Sequence, residues 1–218
     1  MPAPLEPYPS KKHSPVLVQV ALVAVLTALS LGSYYSMASL PNVKLTDSVD
    51  FIATYVFGLE VGLSTTILTR TIYASFNPYG IAPITLIPIL VVGDCFYPLS
   101  ALLARRARVA EKIVGFTGRS LTLGMLGFFS ALGFDVLTNF LGSLQLVSGP
   151  DPTTLVERAL VFGLVTMNFP LPLGLLHELS DFLFFSTVVP VAIMVINRSV
   201  IVQYSLLQSL TGRGRGKP

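Results

Sequence analysis

An all-helical protein embedded in a membrane, crossing it six times, is the fold this sequence predicts, and three observations carry that expectation. Of 218 residues, 52% are apolar and only 11% charged, with a mean hydropathy of +0.73, whereas a soluble domain is about one quarter charged. The uncharged runs 16–37 and 71–93 each meet the ~20 residues that a helix needs to cross the hydrocarbon core. The basic residues fall into clusters separated by apolar stretches: Lys11 and Lys12; Arg105, Arg106, Arg108 and Lys112; and Arg198, Arg213, Arg215 and Lys217. The positive-inside rule puts all three clusters in the cytoplasm. An even number of crossings then separates each from the next, so both termini are cytoplasmic and the chain is a multi-pass protein of the cell membrane.

The elements follow in order from this parity. After a cytoplasmic tail, 1–15, the membrane domain occupies 16–198 and a basic cytoplasmic tail 199–218. The first helix, about 16–37, runs outward into a polar loop containing Pro41 and Asn42. Its length and the lack of a small-residue cleavage signature mark it as a retained helix, not a signal peptide. Residues 47–76 resemble one span, but Gly58, Glu60 and Gly62 interrupt them, which predicts a short second helix, a tight turn and an outward third helix. Broken helices at membrane depth require cover from protein, so this hairpin should be buried. Asn77 to Gly80 reads as an outside turn. Helix four, about 83–104, carries Pro83, Pro88 and Pro98 as expected bends. Helix five starts near 115. A helical stretch at 153–168, after the breaker 148–152, should lie on the outer face. Pro170 and Pro172 end it, and a last helix of about 173–197 completes six crossings.

A charge near the bilayer centre costs roughly 2.5–3.5 kcal/mol on insertion scales, so each one inside needs a partner or a purpose. Glu60, Arg70, Asp94, Asp135, Glu178 and Asp181 remain, with His177 beside them. Asp94 lies midway along helix four, and Arg70 runs antiparallel to it on helix three. A structural ion pair and direct ligand contact by Asp94 both fit. Asp135 and Asn139, one turn apart, share a face of helix five, which means either a cavity or an interhelical hydrogen bond. His177 and Asp181 are likewise one turn apart at the start of the last helix, near the outer surface. Glu178 fits compensation of the helix dipole.

HELSD (177–181) places Asp181 where a zinc protease motif needs its second histidine, and the only other histidine is His13 in the tail, so a zinc hydrolase is not indicated. No P-loop, CxxC, nucleophile motif or Asp-rich metal motif is present. An enzyme is not expected, and neither is a cofactor or bound metal. The single cysteine, Cys95, closes no intramolecular disulfide. The glycine-rich basic tail lacks interleaved aromatics and suits anionic lipid better than nucleic acid. Any ATP-driven action borrows its engine from another chain. Ala24, Ala28 and Gly32 recur every four residues on the first helix, with Ala21 close by, and such a small-residue stripe lets another helix approach closely. Spacing leaves open whether that helix belongs to this chain or to a partner.

These features together resemble the substrate-binding S-component of an energy-coupling factor (ECF) transporter, one of the ABC importers. The AxxxA pair Ala24 and Ala28 is similar to the surface by which S-components dock on a coupling membrane subunit. The stretch 41–62 resembles the family's first outer loop, short second helix and FGPxxG turn, with Leu59 in place of the proline. FDVLTNF (134–140) and LLHELSDFLFF (175–185) resemble segments of vitamin or vitamin-precursor members. The resemblance implies a six-helix protein that takes a small polar vitamin-like molecule from outside. A coupling transmembrane subunit and two cytoplasmic ATPases would power its uptake. It further implies a pocket drawn from Asn77, Tyr79, Asp135, Asn139, His177 and Asp181, with Asp94 as a further candidate contact. Metal-uptake members carry an N-terminal histidine, which MPAPLEP lacks, so cobalt or nickel is not the expected cargo. A non-transporting scaffold of envelope assembly would also use a small-residue stripe, but it would need no cluster of polar groups.

Overall fold

The computed structural model describes residues 16–109, 118–146, 151–163 and 175–212. They form α1 (Val16–Ser36), α2 (Thr46–Ile52), a π-helical turn (Ala53–Phe57), α3 (Leu59–Ser75), α4 (Leu86–Asp94), α5 (Phe96–Arg106), α6 (Gly118–Leu146), α7 (Pro152–Leu160) and α8 (Leu176–Gly212). Four helical stretches among the described residues, Val16–Ser36, Leu86–Arg106, Gly118–Gln145 and Leu176–Ser199, are long and apolar enough to cross a membrane. The described chain is thus all-helical, and these stretches mark it as a membrane protein.

α6 and α8 form the most extensive helix pair, α1 lies on α3, and α4 and α5 pack against α6. At the centre sits the most polar short element. α2 is buried along its whole length, Asp47 and Asp50 included, and the π turn behind it is buried from Ala53 to Val56. Two glycines permit this. Gly58 ends the π turn with φ +104°, a left-handed conformation that side-chain-bearing residues avoid. Gly62, on the first turn of α3, lies so close to the π turn that a Cβ there would come within 1.8 Å of Thr54 Oγ1.

The apolar core gathers Phe51, Tyr55, Tyr97, Leu123, Phe185, Val189 and Ile193 where α2, the π turn, α5, α6 and α8 meet. The Phe51 ring meets Phe185 edge-on at 5.0 Å. Lipid tails are as apolar as these side chains, so in a bilayer it is interlocked shape, not exclusion from water, that holds such a core together.

Several expected boundaries move. Helix four was expected over about 83–104, with bends at three prolines. The helical run instead starts at Leu86 and divides at Cys95, whose N–H bonds to Val92 O at 3.2 Å, a tightened turn. Pro98 accounts for the break: it has no N–H for the Asp94 carbonyl four residues back, and its ring crowds that carbonyl. Pro88 stands in the first turn of α4, where a missing donor is harmless, and Pro83 precedes the helix. The last helix starts at Leu176 and continues past 197 to Gly212, so the first part of the segment expected as a basic tail, 199–212, is helical. Pro190 lies inside it. Of the helical stretch expected at 153–168, α7 covers Pro152–Leu160, N-capped by Asp151, whose carboxylate accepts from Thr153 and Thr154 N–H; 164–168 lie outside the described residues. The expected helix-five start at 115, the stops Pro170 and Pro172, and the tail 1–15 lie outside the described residues.

Candidate functional site

His177, in the first turn of α8, is 1% exposed and has a different neighbour at every edge. Its Nδ1 lies 2.9 Å from Asp135 Oδ2 on α6. Its Nε2 lies 2.9 Å from Asp47 Oδ2 on α2, 3.2 Å from the Tyr97 hydroxyl on α5, and 3.4 Å from Lys44 Nζ in the loop before α2. Asp181, one turn along α8, brings Oδ2 to 3.8 Å from the same nitrogen. Five segments of chain therefore converge on one imidazole, and Phe134 closes the side with its ring edge-on at 5.6 Å. Asp47 opens α2, where the positive end of a helix favours an anion.

Hydrogen-bond valence constrains this arrangement. A neutral imidazole carries one N–H, yet a carboxylate oxygen stands at each ring nitrogen. If Nδ1–H donates to Asp135, the Nε2 lone pair faces two carboxylates, an arrangement that a second ring proton, the Lys44 ammonium 3.4 Å away or a bound cation each offsets. Asp47 Oδ1 and both oxygens of Asp181 are buried and make no hydrogen bond among the described residues. One donor atom from each of Asp47, His177 and Asp181 lies within 4.8 Å of the others, a grouping able to hold a metal ion. Glu178 sits in the first turn of α8, as dipole compensation requires, but it too is fully buried, with neither oxygen hydrogen-bonded among the described residues.

A second polar centre adjoins the first. Arg70 on α3 and Asp94 at the end of α4 form a two-pronged ion pair, Nε to Oδ2 and Nη2 to Oδ1. The guanidinium lies 5.5 Å from the Tyr34 ring and 5.1 Å from that of Phe134. Phe134 also receives Lys44 Nζ at 4.7 Å from its ring centre. Above the pair opens a cleft of about 180 Å³ whose walls include Tyr34, Asn42, Lys44, Arg70, Tyr73 and Tyr79. Tyr34 and Tyr73 stack at 3.8 Å and form its aromatic side.

The residues singled out from sequence divide accordingly. Asp135, His177 and Asp181 come together in the first centre, where His177 and Asp181 are deeply buried within the chain. Asp94 has both oxygens on Arg70, so the ion pair is made. Tyr79 reaches the cleft. Asn77 uses Oδ1 to accept from Tyr79 N–H at 2.9 Å, which shapes the turn. Asn139 is half-buried one turn from Asp135, and its carbonyl accepts from Ser143 Oγ. Ala21, Ala24, Ala28 and Gly32 are all exposed, while the opposite face of α1 buries Thr27, Ser30 and Tyr34; the stripe points away from the other described residues.

Sequence reasoning missed Asp47, Tyr97 and Lys44. Asp47 and Asp50, three apart at the start of a short helix, share a face and offered a signal. Tyr97 and Lys44 offered none, because their roles depend on partners 80 and 133 residues away. In comparisons with known proteins, the chain matches no family model, no curated protein and no solved structure.

Proposed function

We propose that this protein is the substrate-binding membrane subunit of an ECF-type importer, capturing a small polar vitamin-like molecule outside the cell for uptake powered by partner subunits. The observation that carries this reading is the cleft at Tyr34, Arg70, Tyr73 and Tyr79. It combines stacked aromatic walls with charged and amide groups, the usual make-up of a small-molecule site. Its ~180 Å³ falls below the 300–1,000 Å³ of pockets for drug-sized ligands, which suits a compact heterocycle or amino-acid-sized compound. The outward-facing small-residue stripe on α1 supports docking on a helix of a coupling subunit, since Ala24, Ala28 and Gly32 leave room for close backbone approach.

In this reading α2 with its π turn, and α3, supply the two short crossings that complete six. α7 stays on the outer face, and both termini and the Arg105–Arg108 turn are cytoplasmic. α3 has 17 residues, roughly 25 Å of helix at 1.5 Å per residue, enough for a thinned or partly covered span. Thermal unfolding of the detergent-solubilised protein against a panel of vitamins and precursors tests the binding. A stabilising ligand raises the melting temperature, and Tyr73→Ala abolishes that rise. Native mass spectrometry identifies any ligand carried from the host. With the coupling subunit and ATPases coexpressed, Ala24→Leu with Ala28→Leu spares ligand binding and abolishes uptake. If no panel member stabilises the protein, no ligand is retained and no ATPase copurifies, the scaffold alternative takes its place.

A further inference from the structure

Beyond substrate capture, we infer that Asp47, His177 and Asp181 form a site for one divalent transition-metal cation, with Asp135 as the carboxylate that orients the histidine. The donor set is one imidazole nitrogen and two carboxylates. It suits zinc or manganese, since borderline ions take imidazole and harder ones take carboxylate.

The geometry fits. An ion bound tetrahedrally through bonds of about 2.0–2.1 Å holds its ligand atoms about 3.3 Å apart. Here His177 Nε2 lies 2.9 Å from Asp47 Oδ2 and 3.8 Å from Asp181 Oδ2, both near that spacing, and one donor atom from each of the three residues lies within 4.8 Å of the others. Asp135 on Nδ1 at 2.9 Å fixes the tautomer that presents the Nε2 lone pair to the ion, the carboxylate–histidine–metal relation common to metal sites. The independent sign that these groups suit a cation is the state of the oxygens. Asp181 is 0% exposed with both oxygens unbonded among the described residues, and Asp47 Oδ1 is in the same condition. Such groups are costly to bury without a counter-charge. The Tyr97 hydroxyl lies 3.2 Å from Nε2, among the same donor groups.

Lys44 gives the site a signature that a purely structural cluster would lack. Its ammonium reaches 3.4 Å from Nε2, on a loop and only half-buried, so it competes with an incoming cation and can swing away. The test uses the tag-free, full-length protein in detergent. After treatment with chelator it is titrated with Zn²⁺ and, separately, with Mn²⁺, by calorimetry and by thermal unfolding. One equivalent of at least one ion is expected to bind and raise the melting temperature. Asp181→Asn and Asp47→Asn should each weaken binding at least about tenfold, and Asp135→Asn by about 10–100-fold as an outer-shell loss. Lys44→Ala should tighten binding, a result that misfolding cannot mimic. His13→Gln combined with Cys95→Ser should change nothing, which separates this site from adventitious binding at the tail or the thiol. Absence of stoichiometric binding by either ion, or an affinity indifferent to both aspartate substitutions and to Lys44→Ala, would overturn the inference. Neither result bears on the vitamin panel, whose cleft lies at Tyr34 and Tyr73.

Discussion

Replacing Asp94 by Asn isolates the two-pronged buried ion pair with Arg70. Side-chain exposure is 6% for Arg70 and 3% for Asp94, and both carboxylate oxygens are engaged by the guanidinium. Taking away one member of such a pair strands the other, at a cost of about 3–5 kcal/mol. The guanidinium cannot shed its proton to escape, and the faces of Tyr34 and Phe134 return only part of the loss. For a chain of this length each kcal/mol moves the melting temperature by about 2–4 °C, so a fall of roughly 6–20 °C is expected. Arg70→Met should fall comparably. The double variant, which buries no unpaired charge, should lie well above the sum of the two losses, with a coupling in the range of about 0.5–3 kcal/mol. Scanning calorimetry of the four proteins in one detergent closes the cycle. Single variants melting within about 2–4 °C of the parent, or additive losses in the double variant, would refute the account of this pair as the clamp between α3 and α4.

Gly62→Ala should destabilise by about 1–3 kcal/mol through overpacking. Thr54→Ala should restore only part of this, because Thr54 Cα also lies 2.8 Å from the added methyl; calorimetry of both variants checks it. Asp151→Ala should fray α7, read as faster amide exchange over 152–160. The Asp151 carboxyl is held below the usual carboxylate range by the backbone N–H groups of Thr153 and Thr154. Its contribution is therefore full above the ordinary aspartate pKa and disappears as pH falls through the lowered value, so acid should reproduce the variant's exchange. In a Cys95→Ser background, Arg106→Cys should react with membrane-impermeant maleimide only after the cytoplasmic side is opened. Labelling in intact cells would reverse the proposed orientation.

Composition and run length made the helical membrane class legible, and glycine spacing made the interruption near Gly58 legible, because both are local properties. The division at Cys95 was foreshadowed by Pro98, but which of three prolines breaks the helix depends on where the helix starts. Asp135, His177 and Asp181 stood out as charges in apolar surroundings. Their convergence with Asp47 and Tyr97 was not legible, since it is made by packing α2, α5, α6 and α8 across 130 residues of chain. The small-residue stripe on α1 was visible as spacing, whereas its outward direction required knowing that Thr27, Ser30 and Tyr34 claim the inner face.

The Phe134 ring is a party wall. Arg70 rests on it, Lys44 hangs over it and His177 abuts its edge, so two of the groups that border the cleft and the imidazole of the cluster share one aromatic ring. A fluorinated phenylalanine at that position would therefore sense a disturbance of either the guanidinium or the imidazole.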